Sequence, residues 1–320
     1  MKRNSKIFVA GHRGLAGGAL VKELQGQGYG SLVTRSHDQL DLEDPAATMR
    51  FFEIERPQIV FMAAAKVGGI VANSSYPVDF LMRNMKIEAS VFSAAHAVDV
   101  DRMIYLGSSC MYPRDCEQPM RESSLLTGPL EPTNQPYAVA KIAGVQMCDA
   151  YNRQFARRYL AATPAGLYGP GDNYDPESSH VLPALIRKMH QARIAGDDEV
   201  VLWGSGRPRR ELLHCSDMAK ALVFLAGLDD TRFDQIFAPP RMPLINVGTG
   251  QDHSIRELAE LVADVVGYRG RFVHDMSKPD GTPRKLLDVS MLKSLGWEPS
   301  IGLREGIADA YRDFLARSRS

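Results

Sequence analysis

The apolar run Ile7-Phe8-Val9-Ala10 leads directly into Gly11-His12-Arg13-Gly14-Leu15-Ala16-Gly17, and a helical pattern, Leu15–Gln27, follows at once. A chain that passes from a short buried strand into a helix within a few residues must turn tightly, and glycine supplies the backbone freedom for that turn. The spacing is G-x-x-G-x-x-G, placed at the first strand-to-helix junction. A helix beginning there offers unpaired N–H groups and the positive end of its dipole to a pyrophosphate. The opening of the chain therefore implies an open α/β sheet with a dinucleotide at its carboxyl edge.

The rest of the chain carries that pattern on. Short β-rich runs at Ile7–Ala10, Ser31–Thr34, Ile59–Ala64, Met103–Leu106, Leu160–Thr163 and Leu244–Val247 alternate with longer amphipathic stretches, as βαβ units do. The stretches Leu15–Gln27, Pro45–Arg56, Val78–Val98 and Tyr137–Arg158 are predicted helices. Asp44 is the expected N-cap of the second, with Pro45 at its first position. After Pro164 the loops grow richer in Gly, Pro, Asp and Asn, while the helical Asp217–Leu228 and strand-like Leu244–Val247 return to the first sheet. The expected fold is a Rossmann-type doubly wound parallel sheet with a smaller, interleaved C-terminal substrate lobe. Residues 1–165 plus about 214–248 form the dinucleotide domain in this reading, and about 166–213 plus 249–320 the substrate lobe.

An NAD-binding chain places an acid after its second strand to accept from the ribose 2′-OH. Here Arg35 and His37 stand in that region and Arg13 lies inside the glycine loop, cations that suit a 2′-phosphate, so NADP(H) is the expected cofactor. Asp41 is a candidate contact to the adenine edge. Lys plus Arg equals Asp plus Glu at 38 each, so no global basic field attracts nucleic acid or an anionic membrane. No apolar run approaches the roughly 20 residues of a membrane helix, and the apolar stretch near the start is too short for a signal-peptide core. Cys110, Cys116, Cys148 and Cys215 include no C-x-x-C pair and no His at zinc spacing, which points to a reducing cytoplasm and no structural metal.

Leu106-Gly107-Ser108-Ser109 ends a predicted strand and delivers hydroxyls to the ligand-binding edge. Downstream, Tyr137-Ala138-Val139-Ala140-Lys141 puts a phenol and an ammonium at i and i+4, on one helix face. A phenol with an ordinary pKa of about 10 is a poor acid or base at neutral pH, and a neighbouring cation is expected to lower that value. Ser, Tyr and Lys together can hold a carbonyl oxygen and protonate it as hydride arrives.

At these residues the chain resembles the extended short-chain dehydrogenase/reductases, and among them the GDP-L-fucose synthases, which are GDP-4-keto-6-deoxy-D-mannose 3,5-epimerase/4-reductases. The resemblance runs through Gly11–Gly14, Ala63–Asn73, Gly107–Pro113, Glu131–Asn134, Pro136–Ala138 and Lys278–Lys285. It implies epimerisation of a 4-keto GDP-sugar at the carbons flanking the ketone, then NADPH-dependent reduction at C4. It assigns Ser108, Tyr137 and Lys141 to reduction, and Cys110 with His180 to proton exchange. The cofactor set it implies is Gly11, His12, Arg13, Gly14, Leu15, Ala16, Gly17, Arg35, His37, Asp41, Leu106, Gly107, Ser108, Ser109, Lys141, Pro164, Gly166, Leu167 and His180. For the guanosine diphosphate it implies Lys188, Trp203, Arg210 and Asp280, and for assembly a homodimer through the helix bearing Tyr137 and its neighbour. Cys116, Cys148 and Cys215 are read as structural.

Four positions depart from the family pattern. Lys188 and His37 stand where bacterial members carry Arg, and Ala165-Gly166 replaces Thr-Asn, removing an amide near the nicotinamide and sugar. A sister enzyme acting on another 4-keto GDP-sugar, in a GDP-colitose or GDP-heptose pathway, is the alternative reading. A catalytically silent NADP(H)-binding protein is a third, opposed by the intact Ser108, Cys110, Tyr137, Lys141 and His180.

Overall fold

The structure is a computed structural model describing residues 1–176, 178–238, 240–278 and 280–318, with backbone only at Ile70 and Val71. Pro279, in the Lys278–Lys285 block, lies outside the described residues. The strands in chain order are β1 (Ile7–Ala10), β2 (Leu32–Val33), β3 (Ile59–Met62), β4 (Arg102–Leu106), β5 (Arg158–Pro164), β6 (Gly166–Tyr168), β7 (Glu199–Trp203), β8 (Arg209–His214), β9 (Leu244–Val247), β10 (Asp252–Ser254), β11 (Arg271–Asp275) and β12 (Arg284–Lys285). The helices are α1 (Leu15–Gly26), α2 (Pro45–Glu55), α3 (Ile70–Ser75), α4 (Pro77–Ala97), α5 (Gln135–Phe155), α6 (Val181–Ala195), α7 (Cys215–Gly227), α8 (Asp230–Gln235), α9 (Ile255–Val266), α10 (Ser290–Ser294) and α11 (Leu303–Ser318). Among these, no helix is long and apolar enough to cross a membrane.

Six parallel strands form the central sheet in the order β2-β1-β3-β4-β5-β9. The chain leaves β1 for β2 on one side and returns to β3 on the other, so the crevice beyond the carboxyl ends of β1 and β3 is the ligand-binding switch point of a doubly wound sheet. The residues of β1, β3 and β4 are buried throughout, as strands covered on both faces must be. Phe8 of β1 packs against Phe51 and Phe52 of α2 with ring centroids 4.7 and 5.7 Å away.

Element boundaries differ from expectation where local pattern and tertiary pairing compete. The second strand shrinks to Leu32–Val33 and the third stops at Met62. The helix expected over Tyr137–Arg158 begins at Gln135 and ends at Phe155: Ala156 takes a left-handed φ of 52° and Arg158 already pairs with Arg102 in the sheet. Asp44 caps α2 as expected, accepting from the N–H groups of Ala46 and Ala47.

A second cluster of buried side chains, including Tyr168, Ile186, Met189, Leu202, Leu258, Val262, Ile307 and Phe314, lies apart from the first. Strand β8 is its hub, paired with β6, β10 and β12. The chain then crosses back, since Leu287, Val289, Leu292 and Trp297 join the larger core. Glu211 of β8 is 3% exposed. Its carboxylate accepts backbone N–H groups from Thr249 at 2.6 Å, Gly250 at 2.7 Å and Leu287 at 2.7 Å.

Gly144 lies inside α5, where glycine costs about 1 kcal/mol relative to alanine. Tyr105 explains it: a Cβ at Gly144 would stand 2.3 Å from the Tyr105 ring and 2.4 Å from its hydroxyl. Gly144→Ala is therefore expected to lower unfolding stability by about 1–3 kcal/mol despite the better helix former, as overpacking does. Denaturant unfolding of the two proteins checks this, and equal or greater stability of the variant would contradict it.

Candidate active site

Ser108 leaves β4 in an extended conformation and caps a short 3₁₀ turn, Ser109–Met111, its hydroxyl accepting from the Cys110 N–H at 3.3 Å. One turn of chain thus presents a hydroxyl and a thiol at the carboxyl edge of the sheet. Tyr137 enters from the first turn of α5, its ring edge-on to Phe80 at 6.3 Å. The phenol pKa is raised by burial and by the nearby Cys110, against a lowering effect of the neighbouring Ser108 hydroxyl. Ser108, Cys110 and Tyr137 are brought together as expected.

Lys141 corrects one expectation. Its ammonium is buried, donating to the Leu106 carbonyl at 3.1 Å and lying 3.6 Å from the Glu88 carboxylate. The charge is met by Glu88, and the phenol of Tyr137 is pushed up by burial instead of down by the lysine. Glu88 itself carries no signal in the sequence beyond being an acid on a predicted helix.

The thiol of Cys110 has neighbours that no local pattern announces. The Asn134 amide donates to the sulfur at 3.1 Å and the Lys285 ammonium lies 3.7 Å from it. Strand pairing sets Lys285 of β12 beside Arg210 of β8, and the Arg210 guanidinium is close enough for the thiol to oppose the lowering of its pKa by burial. His180 is the N-cap of α6. Its ring reaches solvent, its pKa is lowered by desolvation, and no hydrogen bond joins it to Cys110 among the described residues. The carbonyls of Ser178 and Ser179 approach Gly69, so His180 follows a segment that flanks the Ala63–Asn73 block.

The glycine loop is a cradle. A Cβ on Gly17 would lie 2.2 Å from the Gly11 carbonyl oxygen, so α1 rests directly on the turn. Gly14 caps α1 with no side chain and no acid lies in its first turn, which leaves the helix start to an anion. These features fit a dinucleotide pyrophosphate. Arg13 is exposed and has no acidic partner among the described residues. The His12 imidazole pKa is lowered by burial and by the neighbouring Arg13, against a smaller raising effect of the Arg35 backbone, which places the loop beside the end of the second strand. Arg35 is less free than its position implied: it pairs with Glu55 at 2.6 Å and lies over Phe51. Exposed His37 sits 3.8 Å from exposed Asp41. Leu106 and Gly107 are buried at the end of β4, while Pro164 ends β5 and Gly166 and Leu167 begin β6.

The four residues assigned to the sugar nucleotide divide. Arg210 joins Cys110 and Lys285, its guanidinium donating to the carbonyls of Arg209 and Thr282. Trp203, 61% exposed, ends β7 with the ammonium groups of Lys188 and Lys278 5.7 and 5.4 Å from its ring. Asp280 is engaged within the fold, accepting from the Ser205 N–H at 2.8 Å and hydroxyl at 2.6 Å. Residues 280–285 connect the two groups.

Residues 7–235 match the NAD dependent epimerase/dehydratase family. The chain belongs to that family. Among its relatives, the chain is 52% identical over 310 residues to the GDP-L-fucose synthase of Escherichia coli K12, covering 97% of this chain and 96% of that one. It is 38% identical to the GDP-L-colitose synthase of Yersinia pseudotuberculosis over 97% of this chain and 98% of that one. A solved structure, a GDP-L-fucose synthetase from Naegleria fowleri bound to NADP, superposes with a TM-score of 0.87 at 26% identity, covering 100% of this chain and 97% of that one.

In this member of the family the loop after β6 abuts the glycine turn, Gly171 facing Leu15. Asp172 within it is 6% exposed, accepts the Asn173 N–H at 2.7 Å with one oxygen and leaves the other without a hydrogen-bond partner among the described residues. Burial raises its pKa to about 6, against smaller lowering effects of the Asn173 N–H and Arg317. The raised value means the folded state favours the neutral acid, so its stabilising contribution is complete below the ordinary carboxylate range and is lost as pH rises through about 6. Asp172→Asn should change stability little at pH 4 and raise it by up to roughly 3 kcal/mol at pH 7.5. Chemical denaturation at the two pH values measures this; an equal effect at both contradicts it.

Proposed function

We propose that this chain converts GDP-4-keto-6-deoxy-D-mannose to GDP-L-fucose, by C3/C5 epimerisation and NADPH-dependent reduction at C4. The observation that carries the reading is the single turn at the end of β4, which sets Ser108 near Tyr137 while Cys110 two residues on lies beside Asn134 and Lys285. One ketone positioned there meets both sets of groups. The 52% identity to a GDP-L-fucose synthase supports the same reading.

The glycine turn Gly11–Gly17 with Arg13, Arg35 and His37 holds NADP(H) in this proposal. The bound cofactor supplies hydride to C4. Ser108 and Tyr137 hold the C4 oxygen, which acidifies the protons on the flanking carbons by stabilising the enolate. Cys110 removes such a proton and His180 returns one to the opposite face, a thiol and an imidazole having ordinary pKa values of about 8.5 and 6.5. Desolvation makes the imidazolium of His180 the readier donor. Tyr137 then protonates the C4 oxygen as reduction proceeds. Arg210 and Lys188 face the diphosphate, Trp203 offers its ring to the nucleotide, and Asp280 shapes the Gly204–Gly206 loop beneath it.

We place the domain boundaries at 1–165 plus about 214–248 for the cofactor and about 166–213 plus 249–320 for the sugar nucleotide. A cytoplasmic homodimer through α4 and α5 completes the proposal, supported by exposed Val78 and Met82 on α4 and Val139 and Phe155 on α5. The second reading, a related GDP-sugar epimerase/reductase, is favoured by Gly166: a Cβ there would come within 3.0 Å of the Glu211 carbonyl oxygen.

Incubation with GDP-4-keto-6-deoxymannose and NADPH should yield GDP-L-fucose; no turnover, or a different sugar, contradicts the proposal. Cys110→Ser should abolish exchange of the C3 and C5 protons with deuterated solvent while NADPH binding persists. Tyr137→Phe should cut NADPH oxidation by roughly 10²-fold or more, the scale of a general acid, yet retain part of the exchange. Wild-type exchange in Cys110→Ser would remove the thiol from the mechanism.

Comparison of kcat/KM should favour NADPH over NADH, and Arg13→Ala should shrink the preference by about tenfold, the scale of one charge-assisted contact. Equal use of the two cofactors by the unaltered protein would refute the assignment.

A further inference from the structure

Glu88 on α4 is an acid with a 1% exposed side chain in the core of the cofactor domain. One carboxylate oxygen accepts the Tyr105 hydroxyl at 2.6 Å and lies 3.6 Å from the Lys141 ammonium, while the other has no hydrogen-bond partner among the described residues. Lys141 is 3% exposed, with its nitrogen 4.6 Å from the centre of the Tyr105 ring. Buried charges survive in proteins when they are paired, and the other titratable groups facing this pair are Tyr105 from β4 and Tyr137 and Cys148 from α5. Glu88 is therefore the sole countercharge of Lys141 among the described residues. The arrangement is built: Gly144, one turn beyond Lys141, leaves the space in which Tyr105 reaches Glu88.

We propose that Glu88 is a positioning residue for ketone reduction, a buried carboxylate clamped by Tyr105 that keeps Lys141 charged and seated at the end of β4, one helical turn from Tyr137. Burial alone drives Lys141 toward the neutral amine and Glu88 toward the neutral acid, and each opposes that drift in the other. Without the carboxylate, Lys141 loses its proton at lower pH, and reduction loses the ammonium that restores the proton of Tyr137. Proton exchange through Cys110 does not involve Lys141.

The inference rests on the assignment of reduction to Tyr137 and Lys141, and the test separates the two. In Glu88→Gln, an isostere that keeps both acceptor contacts and removes the charge, the alkaline limb of kcat for NADPH oxidation should move down by about one pH unit or more, a tenfold change in the amine equilibrium. KM for the sugar nucleotide and the rate of C3/C5 exchange should change less than about twofold, as expected when binding and the Cys110 chemistry are untouched. Tyr105→Phe, which keeps the charge but removes its clamp, should shift the limb in the same direction by less. The carbon signal of Lys141 in ¹³Cε-lysine-labelled protein, assigned with Lys141→Arg, should titrate at correspondingly lower pH in Glu88→Gln. Failure of the unaltered protein to oxidise NADPH with this substrate would overturn the functional reading, while the lysine titration would still decide the role of Glu88. An unmoved alkaline limb and lysine titration in folded Glu88→Gln would overturn the inference, and if that variant does not fold, an unmoved limb in Tyr105→Phe would do so.

Discussion

The buried carboxylate of Glu211 accepts three backbone N–H groups from segments that follow β9 and β12. Its desolvation is offset only if all three donors stay in place, because a buried carboxylate short of donors is costly. That requirement locks β8, and with it Arg210, to the stretch carrying Lys285. It also fixes how the smaller lobe's strands approach the end of β4, where Cys110 and Tyr137 stand. Much of the site's geometry is thus an effect of backbone groups converging on one side chain.

The parts of the fold legible in the sequence are those whose cause is local. The Ile7–Gly17 junction, the Asp44–Pro45 helix start and the Tyr137–Lys141 spacing each carry their physics within a dozen residues. The second strand is shorter than the run Ser31–Thr34 because the sheet pairs only Leu32 and Val33 with β1. The helical pattern after Tyr137 runs on into β5 because nothing in its apolar periodicity marks the left-handed turn at Ala156.

What remained hidden depends on distance along the chain. Lys285 lies 175 residues from Cys110 and touches it only because β12 pairs with β8. Glu88 meets Lys141 through helix packing between α4 and α5, and the neighbouring phenol is raised mainly by its own burial. The Asp280 carboxylate accepts from Ser205, 75 residues away along the chain, a contact that no local pattern announces. An acid in a loop has the same appearance in a sequence whether it binds ligand or backbone.

The 3₁₀ turn after β4 has a consequence for how such a protein can change. Ser108 and Cys110 ride on the same few backbone atoms, and the hydroxyl of one is hydrogen-bonded to the N–H of the other. A shift that re-aims the hydroxyl at a differently shaped ketone carries the thiol with it. The two chemistries therefore drift together under mutation. A lineage adapting to a new sugar has more freedom in the wall contributed by β12, whose Lys285 approaches Cys110 from a distant part of the chain, than in the turn itself.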